Sequence, residues 1–183
     1  MAFLFFVAIA MAHAGFANFG ILGLERLQSL DLAEAALPVT AYLVTSAAGV
    51  LMGGWVADRI RQHDRFVMFA ALAAAVLTLP LALVELSATT LFILMAAIGV
   101  ASGIIAPSRD MIVRKLAPEG RTGTVFGFVT TGFNAGGLIA PPLLGMAIDM
   151  GQPAWVFLTS VIFFLAIPVT LGFGSMARGR RAG

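Results

Sequence analysis

The chain has no cysteine and very little charge: 11 Lys and Arg against 9 Asp and Glu in 183 residues, or 11%. Without thiols it has no disulfide framework, no cysteine-ligated zinc and no thiolate nucleophile. Roughly a quarter of the residues of a soluble domain are charged. So sparse a supply excludes an ordinary water-facing surface; the net charge of +2 decides little, since placement matters more than the sum, and no nucleic-acid partner is expected. The two histidines, His13 and His63, occur in no H-E-x-x-H pattern, which removes the helical zinc-protease site. Neither a metal nor a cofactor is expected.

What fills the chain instead is apolar. Sixty per cent of its residues are hydrophobic and its mean hydropathy is +1.00, values that place it in a lipid bilayer. Hydrocarbon offers backbone N–H and C=O groups no partner, so a spanning segment must be a helix or part of a closed barrel. The uncharged runs are about 20 residues long, not the ~10 of alternating barrel strands. The fold expected is therefore an all-α membrane protein. Six spans are read at approximately 3–24, 37–57, 66–86, 89–108, 123–147 and 154–174, each long enough for ~30 Å of hydrocarbon. They form one transmembrane bundle over 1–174, followed by a basic tail at 175–183.

The scarce charges are unevenly placed. One set of connecting segments holds Arg59, Arg61, Arg65, Arg109, Arg114, Lys115, Arg121, Arg178, Arg180 and Arg181; the other holds Arg26. By the positive-inside rule the first set is cytoplasmic, which puts both chain ends inside a cell (inner) membrane. The opening MAFLFFVAIAMAHAG has the small residues of a signal-peptide cleavage site. It lacks a basic leader, however, and the apolar run continues beyond that point, so a spanning helix is the better reading.

The stretch GGWVADRIRQHDR, residues 53–65, concentrates six ionisable groups in its last eight positions. Gly49, Gly53 and Gly54 form a small-x-x-x-small face that lets a neighbouring helix come close in lipid. Asp58 follows at the negative end of its own helix dipole, so it calls for a positive partner. Arg61, His63 and Arg65 read as a solvated loop. The spacing Gly54-x-x-x-Asp58-Arg59 resembles the loop between the second and third helices in each half of major facilitator superfamily transporters, G-x-x-x-D-R/K-x-G-R-R/K. Arg61 stands here for the second glycine and Gln62-His63 for the basic pair, a decay more typical of the C-terminal half of these proteins. Residues 106–149, with Pro141-Pro142-x-x-Gly145, resemble the fourth and fifth helices of such a half. The Gly137-x-x-x-Pro141 element is similar to the antiporter motif of drug/proton exchangers, with Ala140 where that motif has glycine.

The resemblance implies a six-helix bundle of two inverted three-helix repeats, working with an N-terminal six-helix half, or a second copy, around a midplane pathway. It also implies a conformational latch of Gly54, Asp58, Arg59 and Arg109, made in one access state and broken in the other. The third and sixth spans would then be peripheral, and they are the least polar in their middle turns. Polar groups on the remaining spans mark His13, Asn18, Thr45, Thr130 and Asn134 as the substrate pathway. Thr130 and Asn134 share a helix face, whereas His13 and Asn18 diverge by about 140°. No carboxylate falls near the midplane, so a coupling proton taken up within this chain would have His13 as its acceptor. The function expected is secondary active transport of a small solute by alternating access. Alternatives are a non-transporting six-helix scaffold or decayed fragment, and an intramembrane enzyme. The enzyme is disfavoured because His13 precedes every serine, and serine proteases of this kind need a later histidine within reach of the nucleophile.

Overall fold

A computed structural model describes residues 2–179. Of the expected basic tail, residues 180–183, with Arg180 and Arg181, lie outside the described residues. Seven helices follow one another: α1 (Ala2–Gln28), α2 (Leu32–Ala57), α3 (His63–Leu83), α4 (Ala88–Gly103), α5 (Ile105–Leu116), α6 (Thr122–Asp149) and α7 (Ala154–Gly179). Among the described residues there is no strand, as the apolar run lengths require.

Local chemistry sets the helix ends. Asp31 accepts from the Glu34 N–H while the Glu34 carboxylate accepts from the Asp31 N–H, a reciprocal cap that starts α2. Ser87 accepts from the Thr90 N–H at the start of α4. Between α5 and α6 the chain reverses in a tight turn closed from the Arg121 N–H to the Pro118 carbonyl at 3.1 Å. Gly120 takes the left-handed conformation this turn needs, at φ 74°.

Five segments are long and apolar enough to cross a membrane: Ala2–Gln28, Leu32–Ala57, His63–Leu83, Ala88–Leu116 and Ala154–Gly172. With 28 residues α6 has the length, but its glycines, threonines, Asn134 and paired prolines dilute its hydropathy. Several helix ends differ from the expected runs, two of them with consequences for the candidate site. The third helix begins at His63 and ends at Leu83, so His63 is not a solvated loop residue but is buried, at 3% exposure. The fourth segment does not end at 108; after a break at Ile104 it continues as α5 to Leu116, so much of the expected loop is helix. Pro107 explains the break, since it has no N–H for the Gly103 carbonyl and its ring crowds that carbonyl.

The helices pair through small residues. Lipid is as apolar as leucine, so association relies on close van der Waals packing and not on a hydrophobic drive. A Cβ on Gly49 would lie 2.7 Å from the Val100 carbonyl oxygen and one on Gly53 2.7 Å from that of Ile104. Gly99 and Gly103 answer from α4 against the Tyr42 and Ser46 backbones. Gly54 does not belong to this face; it looks onto open space. Gly132 and Gly136 similarly bring α6 onto α1 at Phe3 and Val7. Both glycine pairs thus serve neighbours inside the bundle.

In the resulting arrangement α1 is central, packed on α2, α6 and α7, while α3 packs against α7, α4 and α5. Phe16 joins these layers, stacked on Tyr42 at 4.7 Å and packed near Phe157 and Phe164. The outer faces of α3 and α7 present Phe69, Val76, Leu83, Ile162 and Val169, all exposed and apolar. Thr78, Thr159 and Ser160 are buried, with the Thr78 and Ser160 hydroxyls bonded to their own helix carbonyls. The two ends of the bundle are tied separately. At one end Gln28 donates to the Val84 carbonyl and accepts from the Leu86 N–H; at the other Lys115 donates to the Arg61 carbonyl.

Candidate functional site

Two regions hold the chemistry. In the middle of the bundle, His13 Nδ1 and the Tyr42 hydroxyl lie 2.9 Å apart and join α1 to α2. The His13 ring meets Phe164 edge-on at 6.0 Å, and Tyr42 is 2% exposed. One helical turn along α2, the Thr45 hydroxyl is 2.7 Å from the Ala41 carbonyl and 2.9 Å from that of Ala96 on α4. Its single proton is shared between its own helix and the neighbour, so Thr45 fastens α2 to α4. Tyr42 was not expected as a site residue. A phenol in mid-span opposite an expected histidine was the available signal, since a buried Tyr hydroxyl needs a partner.

The other three expected pathway residues, Asn18, Thr130 and Asn134, are exposed on the surface of the chain. They do not gather at one depth. Gly132 abuts Phe3 and Gly136 abuts Val7, so α1 and α6 run parallel with Asn134 level with residue 5. At 1.5 Å per residue His13 is then about 12 Å further along the bundle and Asn18 about 20 Å. These depths are set by where the glycines of α6 meet α1. Thr130 and Asn134 do share one flank of α6, and Gly127 and Gly137 on that helix also meet only open space.

The second region is the end where α2, α5 and α6 converge. A cavity of about 340 Å³ is bounded by Gly54 and Asp58 on α2 and its cap, by Asp110 and Arg114 on α5, and by Phe126 on α6. Asp58 caps α2 through its backbone N–H, which donates to the Gly54 carbonyl, and its side chain is exposed. The expected pairing of Asp58 with Arg109 is not made. Arg109 Nε donates to Asp110 Oδ1 at 2.9 Å, with its guanidinium 5.0 Å from the Phe6 ring centre; Arg114 is the cation that shares the cavity with Asp58. The reason is geometric, because successive positions on α5 point about 100° apart and Arg109 turns towards α1. Arg59 folds back over its own helix end, donating to the Trp55 carbonyl at 2.8 Å and lying 3.8 Å above that indole ring. A cation at a helix C-terminus is favourable by itself.

This arrangement positions hydrogen-bonding groups along an apolar bundle and an open charged cavity at one end, and no metal-binding group of His, Asp and Glu occurs among the described residues. The chain is 28% identical over 153 residues to the multidrug resistance protein MdtG of Dickeya zeae, an alignment covering 83% of this chain and 36% of that protein. Its fold superposes on the crystal structure of the peptide transporter POT in complex with sulfate with a TM-score of 0.72 at 20% identity, over 99% of this chain and 43% of the other. A mutant of POT in complex with alafosfalin gives a TM-score of 0.70 at 21% identity, over 98% and 44%. The chain thus spans about a third of the length of the curated relative MdtG. These relatives point to a transporter and not to an enzyme. With the profile of the Major Facilitator Superfamily matching residues 2–181, the chain belongs to that family of multi-pass membrane transporters.

Proposed function

We propose that the chain is one six-helix bundle, of the C-terminal type, in a secondary active transporter that moves a small organic solute by alternating access. In this reading α4 and α5 form one span, α6 crosses as the fifth and α7 as the sixth, and both chain ends face the cytoplasm. The observation that carries it is the flank of α6. Thr130, Asn134 and the uncovered Gly127 and Gly137 lie on a helix whose other side is tightly packed on α1. A primary amide facing hydrocarbon is costly, so this flank is built for water, solute or a facing bundle. The whole-length relatives include a multidrug resistance protein and a peptide transporter, which supports an organic solute without naming it.

His13 and Tyr42 are the central polar pair of this half, and a proton coupled to transport within the chain is taken up there. Gly54, Asp58, Arg59 and Arg109 belong to the end that closes against the opposite bundle, with Arg114 added by the cavity they share. The test is solute flux in proteoliposomes holding the chain assembled with an N-terminal six-helix half of a related multidrug transporter. Asn134→Leu should reduce flux at least tenfold while Phe69→Leu on the outer face of α3 leaves it unchanged. Equal flux in both variants, or full flux from the chain as a lone monomer, would overturn the proposal.

A further inference from the structure

A separate cavity of about 220 Å³ lies where the α2–α3 turn meets α5, lined by Arg61, His63, Asp64 and Arg65 from the turn and the first turn of α3, and by Ile112 and Lys115 from α5. Three features of it point to one ligand chemistry. The three cations make no ion pair among the described residues, whose one recorded salt bridge is Arg109–Asp110; Lys115 donates to the Arg61 carbonyl, which leaves it two further donors. The start of α3 has no side-chain cap from Gln62, and the positive end of this 21-residue helix faces the turn. His63, on that first turn, is 3% exposed and its Nδ1 has no hydrogen-bond partner, although a buried polar atom of this kind ordinarily finds one. Asp64, which has an interaction of its own, sets one acidic residue against the three cations in the lining.

We propose that this cavity binds a phosphate group, with Arg61, Arg65 and Lys115 as its donors beside the positive end of α3. Tetrahedral oxyanions are held by convergent cations and favoured at positive helix ends. The cavity lies at the end of the bundle where apolar helices give way to charge, the depth at which phospholipid headgroups sit. A soluble phosphate ester offers the same oxyanion. This site lies apart from the α6 flank and the Asp58 cavity, so it stands or falls independently of the transport reading.

The experiment uses the full chain in mild neutral detergent, with fluorescent phosphatidylglycerol as the probe, the matched phosphatidylcholine as comparison and soluble glycerol phosphate as competitor. Phosphatidylglycerol should bind at least tenfold more tightly than phosphatidylcholine. The double variant Arg61→Gln/Lys115→Gln should lose about tenfold of that affinity, while Arg26→Gln/Arg121→Gln, which removes the same charge elsewhere, keeps it. Displacement by glycerol phosphate assigns the site to phosphates of either source; selective binding without displacement assigns it to the lipid. Equal binding of the two lipids, or an equal loss in both double variants, would overturn the site. All four substituted residues are exposed, and the helical circular dichroism of each variant shows that it is folded.

Discussion

At the scale of single residues, polarity in this chain has two fates. His13 and Tyr42 satisfy each other inside the bundle, while Asn18, Thr130 and Asn134 are left on its surface. The two groups should respond oppositely to substitution. Interhelical hydrogen bonds in membranes average about 0.6 kcal/mol and reach about 1.7 kcal/mol. Tyr42→Phe, which also leaves the His13 nitrogen without its phenol, should lower unfolding stability in mixed micelles by an amount in that range. Asn134→Leu should leave the same unfolding curve in place or raise it, because it exchanges an exposed amide for an apolar group, and its effect should fall on transport. Destabilisation by Asn134→Leu matching that of Tyr42→Phe would show the amide to be a structural contact.

At the scale of elements, backbone approach decides which helices touch. The α2–α4 seam is built from glycines on both sides, and a methyl group at Gly103 would run into the Ser46 carbonyl. Overpacking of this kind costs roughly 1–3 kcal/mol, so Gly103→Ala should destabilise the chain by that amount in the same unfolding assay. Gly137→Ala, with open space around it, should be silent for folding. Equal effects at the two positions would mean that the seam yields by sliding and does not hold the register. The break at Ile104 belongs to this scale as well: Pro107 interrupts the ladder and lets α5 leave the line of α4, carrying Asp110 and Arg114 to the Asp58 cavity.

At the scale of the whole molecule, the predictions concern orientation and partnership. The chain has no cysteine, so single cysteines can be introduced without background. Glu119→Cys, in the exposed turn before α6, should react in intact cells with membrane-permeant thiol reagents alone, and Ser29→Cys, beyond α1, with impermeant ones as well. Labelling of position 119 from outside would invert the proposed topology. In an assembled transporter, Asp58→Asn should shift the balance of access states and reduce flux, whereas Arg121→Gln, outside the cavity, should change little. The uncovered α6 flank further requires that the chain alone in mild detergent either self-associates or is stabilised by a partner half, as read by light scattering and thermal unfolding. A stable monomer that transports solute would require a complete pathway inside one bundle.

The amino-acid sequence by itself determined the solvent, the secondary structure and the family. Those properties follow from sums over local stretches: run length, the shortage of charge, and the Gly54-x-x-x-Asp58-Arg59 spacing. Helix ends fall within several residues of the ends of the apolar runs wherever charge bounds a run, and depart from them where backbone chemistry intervenes, as at Pro107. What the tertiary structure alone decided was partnership and depth. Which of three closely spaced glycines packs, whether Arg109 turns to Asp58 or to Asp110, and how far Asn134 lies from His13 all depend on the rotation and register of one helix against another. Register is set by atomic contacts between segments distant in the chain, such as Gly136 on Val7. No local pattern encodes those contacts, because a glycine has the same spacing signature whether a neighbouring backbone or open space lies beyond it.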